Sequence, residues 1–136
     1  MIERIELNDK LYALILRREF EREGANFLTP KDNSLQVGIL IHKKGTQITP
    51  HVHRASPRTI KDVQEVLYLE HGKVEAEFYD DSGRKVKNTT LIAGDTILLL
   101  SGGHGFNILE DTKMIEVKQG PYLGVKEDKE YLEIRQ

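Results

Sequence analysis

Residues 64–79, QEVLYLEHGKVEAEFY, read as two β-strands parted at His71-Gly72. Apolar and polar residues alternate on both sides of the break, and β-branched and aromatic residues are dense, which suits a pleated sheet buried on one face. Downstream, Asp80-Asp81-Ser82-Gly83 is a hairpin turn leading into a strand over 85–91. Ala93-Gly94-Asp95 turns the chain into a strand over 96–100, and a further short strand over 114–118 is stopped by Gln119-Gly120-Pro121. Upstream, Leu35, Val37, Ile39 and Ile41 recur at period two, ending at Lys43-Lys44-Gly45. Many short strands punctuated by Gly and Asp turns predict an all-β sandwich or small barrel.

The ends are less determined. Apolar segments at 2–7 and 11–16 precede a charged run over 17–23, and residues 11–23 fit a helical face and a strand equally well. The charge-rich segment 126–136 suits a short surface helix. At 136 residues the chain is sized for one domain. Apolar residues at 38% and charged residues at 31% suit a globular protein and exclude disorder as the main state. A net charge of -2 gives no bulk attraction for nucleic acid or anionic lipid. No apolar run is long enough to span a bilayer, and residues 1–10 alternate charge and hydrophobe without an apolar h-region, so the expected setting is the cytoplasm, without membrane or nucleic-acid partners. The Asn88-Thr89-Thr90 sequon then has no role.

The absence of cysteine removes disulfides, thiolate catalysis and cysteine-based metal sites. Any metal must be held by His and carboxylates. His51-Val52-His53 puts two imidazoles on the same face of an extended strand. Glu65 shares its alternation with Leu67 and Leu69 and is expected to face inward, where a carboxylate needs a partner. Gln64 falls on the opposite face, as do Tyr68 and Tyr79, which are expected to serve packing or an interface. His104, within Ser101-Gly102-Gly103-His104-Gly105-Phe106, can be aimed inward by its glycine neighbours. Three His and one Glu suit a divalent Fe, Mn, Ni, Co or Zn with open coordination positions. His42 and His71 stand at a strand end and a turn, outside this set. The chain carries neither a Gly-x-Ser-x-Gly elbow nor a phosphate-binding glycine loop, so those hydrolase and nucleotide-binding classes are set aside.

With these residues in place the sequence resembles the cupin family. Gly45, five residues, His51, one residue, His53, then Glu65, six residues and Gly72 follow that family's first motif, and Gly94-Asp95-Thr96 through His104 and Asn107 follow its second. The segments Gly-Gly-His-Gly-Phe and Lys-Gln-Gly-Pro-Tyr are similar to those of small bacterial and archaeal cupins of unassigned role. The resemblance implies a double-stranded β-helix of jelly-roll type in a single domain, its barrel core at about 35–118, with residues 1–34 and 119–136 as additions. It also implies one divalent metal on His51, His53, Glu65 and His104. Two departures stand out. Eleven residues separate His53 from Glu65, far more than is usual in the family, and Leu100 replaces the usual proline one residue nearer to His104 than in the common pattern.

The enlarged loop carries Arg54, Arg58 and Lys61, and Arg58 and Lys61 are the candidates for gripping an anionic ligand at the barrel mouth. The expected function is metal-dependent chemistry of isomerase or oxygenase type on a small polar or anionic molecule such as a sugar derivative. The alternative is a non-catalytic module binding a small ligand or metal. A homodimer is expected, with the segments at 2–7 and 11–16 extending a neighbour's sheet.

Overall fold

A computed structural model describes residues 1–135, and the last residue of the expected C-terminal addition, Gln136, lies outside the described residues. The chain divides into two compact units, Met1–Phe20 together with the chain from Asp62 onward, and Glu21–Lys61. The first unit contains β1 (Ile2–Leu7), β2 (Lys10–Leu16), and, after the second unit, the longer run of strands. The second unit contains β3 (Gly24–Phe27) and β4 (Gly38–Ile41). The run that follows is β5 (Glu65–His71), β6 (Lys73–Tyr79), β7 (Lys85–Ile92), β8 (Thr96–Leu99), β9 (Gly103–Ile108), β10 (Lys113–Lys118) and a one-turn helix α1 (Val125–Asp128).

In the first unit a five-stranded sheet in the order β1-β2-β8-β5-β10 faces a three-stranded sheet in the order β7-β6-β9. All named pairings are antiparallel. Period-two alternation decides what each sheet buries. Leu67 and Leu69 of β5, with Ile5, Ala13, Ile15, Ile97 and Leu99, meet Val74, Ala76, Phe78 and Leu91 of the opposite sheet in one core. Each large aliphatic or aromatic side chain buried there contributes about 1.5–3 kcal/mol. The fold is thus all-β and antiparallel with two facing sheets.

The ambiguous segment 11–23 is a strand as far as Leu16 and has no helix beyond it. The N-terminal segments pair with each other, and β2 also pairs with β8, so both edges of β2 are used within the chain and only β1 is left at that side of the sheet. The strand expected over 35–41 is confined to Gly38–Ile41, because the preceding residues form the loop in which Thr29 Oγ1 donates to Gln36 Oε1 and the Gln36 amide nitrogen donates to the carbonyls of Pro30 and Asn33. The hairpin turn at 80–83 is present, with Asp80 Oδ1 accepting from the backbone N–H of Ser82 and of Arg84. Strand β9 was not foreseen, since three glycines and a histidine in its vicinity weaken the strand pattern. The surface helix expected over 126–136 is a single turn, Val125–Asp128, and the described residues beyond it, 129–135, contain no helix.

A buried ionic network ties the end of β2 to the turn before β8. Asp95 is 1% exposed and is satisfied on both carboxylate oxygens. Oδ1 accepts from the Arg18 N–H, and Oδ2 accepts from the Ile92 N–H and from Arg17 Nη1 at 2.8 Å. Arg17 also donates to Glu3, Thr89 Oγ1 and the Thr90 carbonyl. Burial works to raise the Glu3 pKa, but hydrogen bonds and charge from Lys87 and Arg17 outweigh it and hold the carboxyl below its ordinary value. A folded-state pKa below the unfolded one stabilises the fold at neutral pH, and that contribution disappears as pH falls through the folded value. Acid unfolding followed by circular dichroism is therefore expected to move to higher pH in Lys87→Ala, which removes one of the groups lowering Glu3.

Candidate functional site

The first unit contains a cavity of about 580 Å³ at the end of the sandwich where β5 begins and β8 turns into β9. Its wall brings together Glu65, Glu77, Tyr79, His104 and the Leu99-to-Gly105 segment with residues 128–132 and Ile134 of the C-terminal segment. Two of the sequence-predicted ligands meet here. His104 Nε2 lies 3.3 Å from Glu65 Oε2. The encounter follows from strand register. Phe78 pairs with His104 and Ala76 with Phe106, so His104 shares the core face of β6, and Glu65 shares the core face of β5 with Leu67 and Leu69.

Both groups sit at the rim of the core, with side-chain exposures of 18% for Glu65 and 34% for His104. The hydrogen bond from His104 holds the Glu65 carboxyl below its ordinary value, against the opposing effect of burial and with help from the Lys118 charge. Lys118 is opposite Glu65 in the β10–β5 register and forms its own ion pair with Asp128 at 3.0 Å. On the outer face of β6, Tyr79 donates to Glu77 Oε2 at 3.0 Å, and Lys85 Nζ pairs with Glu77 Oε1. Tyr79 is on the outer face as alternation requires, yet only 7% of it is exposed. Tyr68, also outward, is exposed. Gln64 is buried on the face opposite Glu65, and its N–H donates to Gln119 Oε1, which fixes the start of β5.

The C-terminal segment approaches because Gly103 leaves room for it. A β-carbon at that position would lie 2.0 Å from Leu132 Cδ1. Farther along, Arg135 N–H donates to the Gly83 carbonyl, and Arg135 bridges to Arg84 in parallel. The tail that the sequence assigns to a surface helix therefore walls the cavity. Glu77, Tyr79 and the tail were missed as site residues. The legible signal was the Gly102-Gly103 pair, a place where another segment of backbone or side chain can come close.

The other predicted ligands belong to the second unit. His51 and His53 lie outside any strand, contrary to the expected setting, but their rings still stand together, with centroids 5.3 Å apart and planes at 70°. An extended backbone at i and i+2 suffices for that. Both are exposed, and His51 Nδ1 is 2.8 Å from the Thr49 carbonyl oxygen. Arg58 and Lys61 are exposed in the same irregular segment, where Arg58 Nη1 donates to the Ser56 carbonyl. The predicted donors thus occur as an imidazole–carboxylate pair in one unit and an imidazole pair in the other. Neither unit by itself offers a ready-made four-donor site, and among the described residues no three His, Asp or Glu side chains form a group able to hold a metal ion. No helix among the described residues is long and apolar enough to cross a membrane. No family model, curated protein or solved structure matches the chain.

Proposed function

We propose that the chain is a small-ligand-binding protein of cupin type, with its working site at the Glu65–His104 end of the sandwich. The observation that carries this reading is the meeting of Glu65 and His104, two residues remote in sequence, beside a cavity of about 580 Å³. A concave site of that volume, with a few convergent polar groups on an apolar floor, has the size and character of small-molecule sites. An imidazole that can give or take a proton, next to a carboxylate kept ionised, supplies an acid–base pair as well as two metal donors. The enzyme reading, isomerase or oxygenase chemistry on a small polar or anionic molecule, and the plain binding module share this site.

The divalent metal remains part of the proposal, through His51, His53, Glu65 and His104, because imidazole and carboxylate donors are those that first-row metals select. Titration of chelator-treated protein with Zn, Ni, Co, Mn and Fe(II) is expected to reach about one equivalent for at least one of them. His104→Ala and His51→Ala should abolish uptake, whereas His71→Ala should leave it unchanged. Uptake below about a tenth of an equivalent for every metal would end the metal reading. Mass spectrometry of molecules released on denaturation then tests the cavity separately.

Arg58 and Lys61 complete the proposal as the anion-recognising residues of the enlarged loop. With inorganic phosphate or a dicarboxylate as probe, Arg58→Glu combined with Lys61→Glu is expected to weaken binding about tenfold or more if the two groups are desolvated by the ligand. Unchanged binding with unchanged metal content would remove them from the site.

A further inference from the structure

We propose that residues 129–135 are a removable cover over the cavity, latched by the Lys118–Asp128 ion pair, and that a small molecule reaches the Glu65–His104 pair when this cover lifts. The inference rests on the cavity being the working site, and it adds how that site opens. Cover and cavity belong to the same unit of the chain. The chain leaves β10 through the exposed residues Pro121, Tyr122 and Leu123, makes the single turn α1, and then runs, outside any strand, past Gly103 to Gly83.

Its attachment is thin. Beyond α1, the Arg135 N–H donates to the Gly83 carbonyl, Arg135 bridges to Arg84, and the tip of Leu132 rests over Gly103. At the root of the cover, Asp128 pairs with Lys118 Nζ at 3.0 Å, and the Asp128 side chain is only 10% exposed. Lys118 is the last residue of β10, and its ammonium also lies 5.8 Å from the Tyr122 ring centroid, so one cation holds both the arm and the root of the cover. What the cover buries decides how easily it lifts. Leu132 and Ile134 line the cavity, yet they remain 37% and 53% exposed, and every described residue from 129 to 135 is exposed. An apolar side chain that faces unfilled space gives up little contact when it swings away, unlike Leu67 or Phe78 in the sealed core. Segments with few buried apolar contacts open locally at a small fraction of the cost of global unfolding. Lys118 is also not stranded by the opening, because Glu65 stays opposite it in the β10–β5 register. Closed again over a bound molecule, Leu132 and Ile134 exclude water from the Glu65–His104 pair, as covers of this kind do.

The chain has no cysteine, so a staple can be placed without competing thiols. Arg84→Cys with Arg135→Cys joins two bridge partners, adjacent backbones whose spacing suits a disulfide. Access is read as the rate of His104 carbethoxylation by diethylpyrocarbonate, in the full chain with chelator present, with peptide mapping to separate His104 from His71. In the oxidised staple the His104 rate is expected to fall at least about tenfold and to recover on reduction, while His71, at the end of β5, reacts alike in both forms. Equal His104 rates in the oxidised and reduced forms overturn the proposal. Asp128→Asn without the staple should raise both the His104 rate and amide exchange over 129–135 about tenfold, with far-UV circular dichroism unchanged. Unaltered rates in that variant would refute the Lys118–Asp128 latch. Neither readout needs a bound metal or ligand, so failure here is distinct from failure of the metal titration.

Discussion

Replacing Arg17 with Ala is expected to cost about 3–5 kcal/mol, because it leaves the buried Asp95 carboxylate without its counter-charge. Asp95 is 1% exposed, so water cannot take over the role that Arg17 Nη1 fills at 2.8 Å. The two backbone N–H groups of Arg18 and Ile92 would still bond the carboxylate and keep the loss from being larger. At this chain length, each kcal/mol is worth roughly 3 °C, so the melting temperature should fall by about 10 °C or more. Asp95→Asn in the Arg17→Ala background should recover part of the loss by removing the stranded charge, and this rescue separates an electrostatic penalty from lost packing. Arg18→Ala is the comparison. Its backbone, not its side chain, bonds Asp95, and its guanidinium reaches only the Ala93 carbonyl at 3.5 Å, so the effect should stay within about 0.5 kcal/mol. Equal losses for Arg17→Ala and Arg18→Ala would mean that the network is not what holds the end of β2 to the sandwich.

That network also marks the limit of what the sequence discloses. The turn Ala93-Gly94-Asp95 is legible because glycine and aspartate punctuate two apolar runs, but nothing local says that Asp95 is buried against an arginine from the other end of the chain. The two strands of 64–79 were legible for the opposite reason, since alternation is a local property and half-buried strands must display it. The same alternation put Glu65 on the face of Leu67 and Leu69 and Gln64 on the opposite one, where Gln64 is nonetheless buried. Strand β9 was hidden by its glycines, although its pairing with β6 is what sets His104 toward the core. The His51 and His53 juxtaposition was readable from spacing alone, while their setting in irregular chain was not. The tail was misread because charge-rich composition signals exposure in the average. Here Leu132 and Ile134 alternate with Tyr131, Glu133 and Arg135, an extended pattern that fits a strap across the cavity better than a helix.

Gly102→Ala is expected to destabilise the protein by about 2–4 kcal/mol and to open the Glu65–His104 contact at the same time. Gly102 has φ of 69°, in the left-handed region that a side chain disfavours, and that conformation alone costs about 1 kcal/mol for alanine. Contact adds to it: a β-carbon there would lie 2.5 Å from the Tyr79 carbonyl oxygen and 2.7 Å from the Tyr12 ring. Backbone cannot yield as a flexible side chain can. The turn is also held from below, since Leu100 N–H donates to the Tyr12 carbonyl and Ser101 Oγ donates to that of Leu11. Relief must therefore come on the far side, through β9, the strand that carries His104. A nuclear magnetic resonance titration of the His104 ring would read this directly, as loss of the coupling between its shifts and the ionisation of Glu65. Gly103→Ala provides the contrast, because its new methyl meets the tip of Leu132, which can swing aside. That variant should keep nearly all its stability, and the Glu65–His104 contact with it, while loosening the C-terminal strap enough to raise amide exchange over 129–135. If Gly102→Ala left both stability and the His104 ring shifts unaltered, the turn would have no hand in building the site.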